Sequence, residues 1–336
     1  MKPKQLLKKC RVLRACVRAW RAARKEYKLT YGSLKFTREY VFENRSRGSE
    51  SMLIVLAGYK PDLWDAVFGR LAKFLPAGID VCVATSGKTD ARLRALCAAR
   101  GWSYLSTARN NISLIQNMAI RLHPSAQWIY KMDEDVFLTE GVFERMKAAY
   151  LAAPDRLAAE VGFVSPLLPV NGYGHVRLLM KLALQGEWES RFGKLMYTEG
   201  LQRHTQILKN PEAAKFMWGA TDSRLGDLDG LGRLLASRPE ELSVCPYRYS
   251  IGFILFARKT WMDMGAFGVD AKGSNLGLDE EQLCQYCVLQ AKAMVVVENA
   301  VAGHFSYGPQ TRAMLEYLKA SERLRSLLLV TPPCIG

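Results

Sequence analysis

Residues 51–86 read SMLIVLAGYKPDLWDAVFGRLAKFLPAGIDVCVATS, and this stretch decides the fold. Its first nine residues are apolar and strand-forming, which predicts a buried β-strand. The next segment has one apolar face at helical spacing, and Pro61 suits the first turn of that helix. The apolar run IDVCVATS predicts a second strand. Strand, helix and strand in this order indicate two parallel strands joined by a covering helix.

The same alternation continues towards the C-terminus. A helix is predicted in TDARLRALCAARG (89–101), capped by Thr89 and ended by Gly101. A strand WSYL (102–105), a helix NNISLIQNMAIRLH (110–123) and a strand QWIYKM (127–132) follow. We therefore predict an α/β fold with a mainly parallel sheet and helices on both faces. Ligands of such sheets bind beyond the carboxyl ends of the strands.

Three acids, Asp133, Glu134 and Asp135, follow directly after the strand QWIYKM. Burying three unpaired carboxylates is unfavourable, and a divalent cation held by their oxygens would neutralise them. In extended backbone Asp133 and Asp135 point to one side and Glu134 points to the other. The alternative is that these acids interact with the N-terminus of a helix that starts near Thr139.

The regular alternation breaks down between residues 171 and 246, which predicts an insertion above the sheet. Its aromatic residues could select a binding partner or form a small core of their own. The strand YSIGFILFAR (249–258) and the helix KTWMDMGAF (259–267) then restore the pattern, and a final amphipathic helix is predicted from Pro309 to Leu328.

Positive charge is concentrated at the N-terminus. Residues 1–28 hold eleven Lys or Arg residues and one acid, Glu26, and so carry ten of the fifteen surplus positive charges. An apolar stripe at helical spacing runs through this segment at Leu6, Cys10, Leu13, Val17 and Trp20. This basic amphipathic helix is typical of binding to an anionic membrane surface, and docking on its own domain or on a partner is the alternative. Nucleic acid is not expected, because no nucleic-acid motif accompanies the charge.

The composition is that of a folded globular protein. The chain has 336 residues, of which 49% are hydrophobic and 24% charged, so disorder is excluded and no disulfide or metal is needed for folding. No apolar run approaches the ~20 residues of a membrane span, and we expect a cytoplasmic protein, peripheral on the inner face of the membrane if its basic helix binds there. The eight cysteines predict reduced thiols, including Cys284 and Cys287 buried on a helix.

Several further motifs carry a family resemblance. After the first strand comes AGYKP (57–61), the triplet Ala108-Arg109-Asn110 opens a helix, and NLGLDEEQL (275–283) and VAGHF (301–305) follow the acids. With the Asp-x-Asp motif, this order over residues 52–307 resembles the GT-A glycosyltransferases of the family-2 type. NLGLDEEQL resembles the Trp-Gly-x-Glu-Asp motif of chondroitin-polymerase-like and polypeptide N-acetylgalactosaminyltransferase-like enzymes.

The resemblance implies a GT-A (Rossmann-like) fold and a metal-dependent, inverting transfer of sugar from a nucleotide sugar, with UDP favoured, to a glycan or lipid-linked acceptor. It also suggests bacterial surface polysaccharide synthesis. The implied cofactor is Mn²⁺ or Mg²⁺, held by Asp133, Asp135 and His304. Implied donor-binding residues are Ala57, Tyr59, Asp90, Arg109, Asn110 and Asp133. The implied catalytic base is Glu280, with Asp279 as its rival.

Within this family many members have an Asp-Gly-Ser-x-Asp turn after the second strand, whereas this chain has residues 85–90, TSGKTD. The family's uridine-contacting acid is therefore either absent or displaced to Asp90, and the base specificity stays open. The predicted divisions of the chain are a basic segment 1–50, a nucleotide-sugar-binding half 51–170, an acceptor insertion 171–246, an acceptor and catalytic-base half 247–308, and a C-terminal helix and tail 309–336.

Two other functions compete with sugar transfer. A sugar-nucleotide nucleotidyltransferase would share the sheet and the acids, but AGYKP is a poor version of the Gly-rich basic loop of those enzymes. A membrane-recruited binding protein with an inactive transferase fold is the other candidate. Retention of the metal acids, a base and a histidine argues against it.

Overall fold

The computed structural model describes residues 11–31, 39–199, 202–270, 273–274 and 276–329. Its described strands form one large sheet in the order β1-β4-β3-β2-β5-β11-β7-β12-β10 and two small two-stranded sheets, β13-β6 and β8-β9. The strands are β1 (Tyr40–Glu43), β2 (Ser51–Ala57), β3 (Ile79–Ser86), β4 (Ser103–Thr107), β5 (Trp128–Asp133), β6 (Val136–Phe137), β7 (Val161–Leu167), β8 (Thr198–Glu199), β9 (Gln202–Arg203), β10 (Leu242–Val244), β11 (Phe253–Ala257), β12 (Ala293–Val301) and β13 (Gly303–His304).

The large sheet is mainly parallel, as predicted. Strands β2, β3, β4 and β5 run parallel to one another, and β7 runs parallel to β12. Strand β11 is antiparallel to both of its neighbours, β5 and β7, and the edge strands β1 and β10 are also antiparallel. The carboxyl ends of β2, β3 and β5 therefore meet at one edge of the sheet.

Helices connect these strands. They are α1 (Arg11–Tyr31), α2 (Trp64–Phe74), α3 (Ala91–Arg100), α4 (Ile112–Leu122), α5 (Val142–Leu157), α6 (Gly174–Lys181), α7 (Gln185–Phe192), α8 (Thr205–Lys209), α9 (Pro211–Met217), α10 (Ser223–Gly226), α11 (Leu228–Ala236), α12 (Arg258–Met264), α13 (Leu278–Leu289), α14 (Thr311–Ala320) and α15 (Glu322–Leu328).

Helix boundaries correct two of the predictions. Helix α3 is capped by Asp90, whose carboxylate accepts the backbone N–H groups of Arg92 and Leu93, so the prediction of Thr89 as the cap was wrong. Helix α5 starts at Val142 after Gly141, and strand β6 separates it from the acids that follow β5. Those acids therefore do not cap that helix.

Burial confirms that helices cover both faces of the sheet. Every residue of β2 and of β7 is buried, so the side chains that alternate across each strand are all covered. At the centre, Phe253 of β11 packs against Tyr130 of β5 and Phe143 of α5. Among the described residues, Cys284 and Cys287 are buried free thiols on α13, as predicted.

The segment 171–246 folds into helices α6–α11, the hairpin β8-β9 and the edge strand β10. Trp188 lies at the centre of an aromatic cluster, with ring centroids 4.7 Å from Phe192 and 6.0 Å from Phe216. Phe192 and Phe216 also contact each other at 5.7 Å. Trp188 and Phe216 belong to the same hydrophobic core as the sheet residues, and Phe192 packs against that core, so these aromatic residues do not form a separate core.

Helix α1 is the described part of the predicted basic helix. Val12, Leu13 and Trp20 are exposed on it, and the guanidinium of Arg24 lies 5.2 Å from the centroid of the Trp20 ring. The first positions of the predicted stripe, Leu6 and Cys10, lie outside the described residues. None of the helices in the described ranges combines the length and apolar character needed to cross a bilayer.

Candidate active site

A cleft of about 570 Å³ opens at the carboxyl ends of the parallel strands. Ala57 at the end of β2, Ser86 at the end of β3 and Asp133 at the end of β5 all line it. This is the position at which α/β sheets bind their ligands. The cleft brings together most of the residues singled out from the sequence, namely Ala57, Tyr59, Asn110, Asp133, Asp135, Asp279, Glu280 and His304.

Two of the predicted donor-binding residues do not line the cleft. The Asp90 carboxylate is occupied as the N-cap of α3. Arg109 directs its guanidinium to the backbone carbonyl of Asp270. The sequence identified Asp90 only by analogy with the family's turn, and its capping geometry explains why an acid stands at this position.

Glu134 is the middle acid of the triplet and is buried beneath the loop that follows β2. Its carboxylate accepts the backbone N–H groups of Gly58 and Tyr59, each at 2.8 Å, and the indole N–H of Trp64 at 2.6 Å. Gly58 has φ +128°, a conformation that favours glycine, and an added Cβ would lie 2.9 Å from the Lys88 side chain. Glu134 thus fixes the loop that forms one border of the cleft.

Asp135 is the most enclosed of the predicted metal ligands, with only 1% of its side chain exposed. Its Oδ2 contacts the ammonium group of Lys60 and lies 3.8 Å from Nε2 of His304. Burial alone would raise the pKa of the Asp135 carboxyl, but Lys60, His304 and Lys131 together outweigh burial and hold that pKa below its ordinary value. Asp135 therefore stays ionised, with Lys60 as its counter-charge.

Asp133 has a different cation as its partner. Nζ of Lys131 lies 2.7 Å from Oδ1 of Asp133 and also donates to the carbonyl oxygen of Ile251 at 2.7 Å. Burial raises the pKa of the Asp133 carboxyl above its ordinary value, although the Lys131 ammonium opposes that rise. Lys131 is itself buried, and both members of this ion pair line the cleft.

His304 has the tautomer that a metal ligand needs. Its Nδ1 lies 2.6 Å from the carbonyl oxygen of Val170, which can only accept, so Nδ1 carries the hydrogen. In the neutral imidazole Nε2, the nitrogen that faces Asp135, then presents a lone pair. Trp218 of the insertion supports this segment, because its indole N–H donates to the carbonyl oxygens of His304 and Phe305.

The donor chemistry fits a divalent cation. Carboxylate oxygen is the ligand type that Mg²⁺ and Mn²⁺ prefer, and neutral imidazole is a common metal ligand. Asp135 and His304 would hold the ion, with Asp133 as a further carboxylate in the same cleft. Each of the two acids also contacts a lysine, Asp135 with Lys60 and Asp133 with Lys131. Across the described ranges, no group of three or more His, Cys, Asp or Glu side chains is arranged to hold a metal ion.

The two candidate bases lie side by side at the start of α13 but differ in environment. Asp279 is buried, and its Oδ2 accepts the side-chain amide of Gln116 at 2.7 Å. Glu280 has 14% of its side chain exposed and accepts from Nε of Arg248 at 2.6 Å. Arg248 also donates to the carbonyl oxygen of Gly277, which precedes the helix. Glu280 is thus the more accessible of the two carboxylates.

Sequence reasoning missed three cations that line the cleft, Lys60, Lys131 and Arg248, and it did not predict the supporting role of Glu134. A lysine inside the apolar strand QWIYKM was a usable signal, because a buried ammonium requires an acidic partner. Lys60 lies in the loop AGYKP, which the sequence identified as a candidate donor-binding loop. Arg248 precedes a strand without any local pattern that marks it.

Comparisons with known proteins do not assign the chain to a family. No family model matches it, and no curated protein matches it. It is similar to a crystal structure of GalNAc-T7 with UDP, GalNAc and Mn²⁺, at a TM-score of 0.44 and 11% sequence identity. The match covers 78% of this chain and 44% of the GalNAc-T7 chain, so this chain spans less than half of the length of GalNAc-T7. The mainly parallel, helix-covered sheet is consistent with the GT-A (Rossmann-like) class.

The role of Glu134 generates a test of stability. In Glu134→Gln one oxygen of the carboxylate becomes an NH₂ group, which faces at least one of the N–H donors from Gly58, Tyr59 and Trp64. An unsatisfied buried donor costs about 1–3 kcal/mol. We expect the free energy of unfolding in urea to fall by this amount. The exposed Glu140→Gln is the matched control, and equal midpoints for the two variants would refute the anchoring role.

Proposed function

We propose that this chain is a metal-dependent, inverting glycosyltransferase that moves a sugar from a nucleotide sugar, with UDP favoured, to a hydroxyl of a glycan or lipid-linked acceptor. One observation carries the proposal. A single cleft at the carboxyl ends of the parallel strands is lined both by Asp135 with His304 and by Asp279 with Glu280. The first pair suits a cation that binds a diphosphate, and the second suits proton removal from an acceptor.

Sugar transfer separates charge, and the cleft has groups suited to both signs. Positive charge develops at the anomeric carbon while negative charge develops on the departing diphosphate. A cation held by Asp135 and His304 would neutralise that diphosphate as a Lewis acid. Lys60 and Lys131 add positive charge to the same part of the cleft, and Asp133, which also lines it, would contact the donor ribose or the ion.

The acceptor hydroxyl needs a base within about 3 Å in the reactive complex. Glu280 is our choice, because it lines the cleft and its carboxylate is more exposed than that of the buried Asp279. Asp279 remains the rival, since it also lines the cleft. A single displacement with the base opposite the leaving group inverts the anomeric configuration, by the logic that applies to inverting glycosidases.

Hydrolysis and transfer assays with common nucleotide sugars test the proposal. With Mn²⁺ present we expect release of the nucleoside diphosphate, and we expect Asp135→Asn to lower the rate by on the order of 10²-fold or more, because a charge-stabilising group is lost. Asp65→Asn removes an exposed carboxylate on α2 and should leave the rate unchanged. Undiminished turnover in excess chelator would contradict metal dependence, and release of pyrophosphate would indicate a nucleotidyltransferase.

The identity of the base is tested separately. Glu280→Gln should preserve donor binding yet lower transfer by on the order of 10²-fold or more, because the shape is kept while the base is removed. Asp279→Asn should have a milder effect. Glu281→Gln is the matched control, since Glu281 is the next acid on the same helix and does not line the cleft. The reverse ranking would move the base to Asp279, and no effect from either would exclude both.

We also propose that helix α1 binds an anionic membrane surface, at the inner face of the membrane. Exposed apolar side chains at Val12, Leu13 and Trp20 share this helix with many cations. Apolar area buried in the interface and attraction to acidic lipids both contribute to such binding. Glycan synthesis on a lipid-linked acceptor would be consistent with this location, including that of a bacterial surface polysaccharide.

Vesicle sedimentation tests the membrane proposal with the full chain. Acidic vesicles should sediment the protein at low salt and release it as salt screens the charges. The double variant Leu13→Ser, Trp20→Ser should bind more weakly although it keeps every charge, because it removes buried apolar area. Leu289→Ser, at an exposed position on α13, is the control. Failure of the full chain to sediment at low salt would refute membrane binding.

A further inference from the structure

One carboxylate oxygen in the cleft, Oδ2 of Asp135, has both a lysine and a histidine as neighbours. Oδ2 of Asp135 contacts the ammonium group of Lys60, and the same oxygen lies 3.8 Å from Nε2 of His304. Asp135 is almost fully buried, whereas 26% of the Lys60 side chain is exposed. The Lys60 side chain therefore extends from the border of the cleft to the buried carboxylate of Asp135.

An ammonium group and a divalent cation cannot share this oxygen without strong repulsion. Two positive charges within a few ångströms repel each other more strongly in a partly buried site than in water. A buried carboxylate with no counter-charge is also unfavourable, so Asp135 needs one cation or the other. Occupation of Asp135 by Lys60 and by a metal ion are consequently alternative states.

Lys60 can leave Asp135 without any change in the backbone. The preceding residues Gly58 and Tyr59 are held by Glu134, so the loop is fixed while the four-carbon side chain of Lys60 rotates. Lysine is a flexible point charge and binds phosphate oxygens well. A diphosphate in the cleft offers it a second partner.

We propose that Lys60 is an internal competitor of the metal ion: it neutralises Asp135 when the cleft holds no donor and moves to the diphosphate when the donor binds. This inference rests on the proposed function, since it assumes a nucleotide sugar and a divalent ion in this cleft. Its consequence is coupling, because the nucleotide removes the competitor and so strengthens metal binding, and the metal strengthens nucleotide binding by the same factor. Lys60 thus delays metal binding until a donor is present.

Mn²⁺ titrations of the full chain test the competition without any catalysis. Free Mn²⁺ is followed by electron paramagnetic resonance, with and without UDP. Without UDP, Lys60→Met should bind Mn²⁺ about tenfold or more tightly than the unaltered chain. UDP should then strengthen Mn²⁺ binding strongly in the unaltered chain and much less in Lys60→Met. Addition of Asp135→Asn to Lys60→Met should abolish the gain, which assigns the ion to Asp135.

Lys88→Met is the matched control. The Lys88 side chain lies near Gly58, with its ammonium 4.8 Å from the centroid of the Tyr59 ring, so this variant removes the same charge from the same loop region. It should bind Mn²⁺ as the unaltered chain does. An equal gain in Lys88→Met would mean that general electrostatics, and not displacement from Asp135, sets the affinity, and would overturn the proposal.

Thermal melting adds a second readout that does not depend on the titration. Lys60→Met leaves Asp135 without a counter-charge, so its melting temperature should be lower without metal and should rise more with Mn²⁺ than that of the unaltered chain. Lys60→Gln, which keeps a hydrogen-bond donor, should show the same ranking and serves if Lys60→Met does not fold.

The failures are distinguishable. Equal or weaker Mn²⁺ binding by Lys60→Met overturns the competition, while metal-dependent release of the nucleoside diphosphate would leave the proposed function intact. Absence of Mn²⁺ binding by every variant, with and without UDP, overturns the competition and the metal-dependent form of the proposed function together.

Discussion

The buried carboxylate of Glu134 is the interaction on which the rest of the cleft depends. It joins the end of β5 to the loop after β2 through two backbone N–H groups and the indole of Trp64. Because three donors converge on one carboxylate, the loop has little freedom to move away. Tyr59 and Lys60 follow on this fixed loop, and Lys60 is thereby brought to Asp135.

Charge balance explains why so many acids can lie close together in one cleft. Asp135 is matched by Lys60, Asp133 by Lys131 and Glu280 by Arg248, while Glu134 and Asp279 are satisfied by N–H donors. Without these partners, burial of the ionised carboxylates would be strongly unfavourable in free energy. The lysines that pair with Asp135 and Asp133 have flexible side chains, so a ligand can replace them. The backbone N–H groups that bind Glu134 are fixed and cannot be replaced in this way.

The insertion contributes to the cleft indirectly. Trp218 donates to the backbone at His304 and packs so closely on Gly303 that an added Cβ there would lie 2.4 Å from its ring. Val170, just before the insertion, fixes the tautomer of His304. The segment that interrupts the regular alternation of strands and helices therefore supports the histidine through Trp218, and its aromatic side chains join the main hydrophobic core.

The sequence by itself determined the α/β alternation, the position of the acids after β5 and the exposed basic helix. Hydrophobic periodicity and strand-end position are local properties, so they can be read without coordinates. Only the tertiary structure decided that Glu134 supports the loop after β2, and that Lys60 and His304 both approach one oxygen of Asp135. These contacts join residues that are distant in the chain, and the crossovers of a mainly parallel sheet bring them together. No local spacing encodes that Lys60 reaches Asp135 or that Arg248 reaches Glu280.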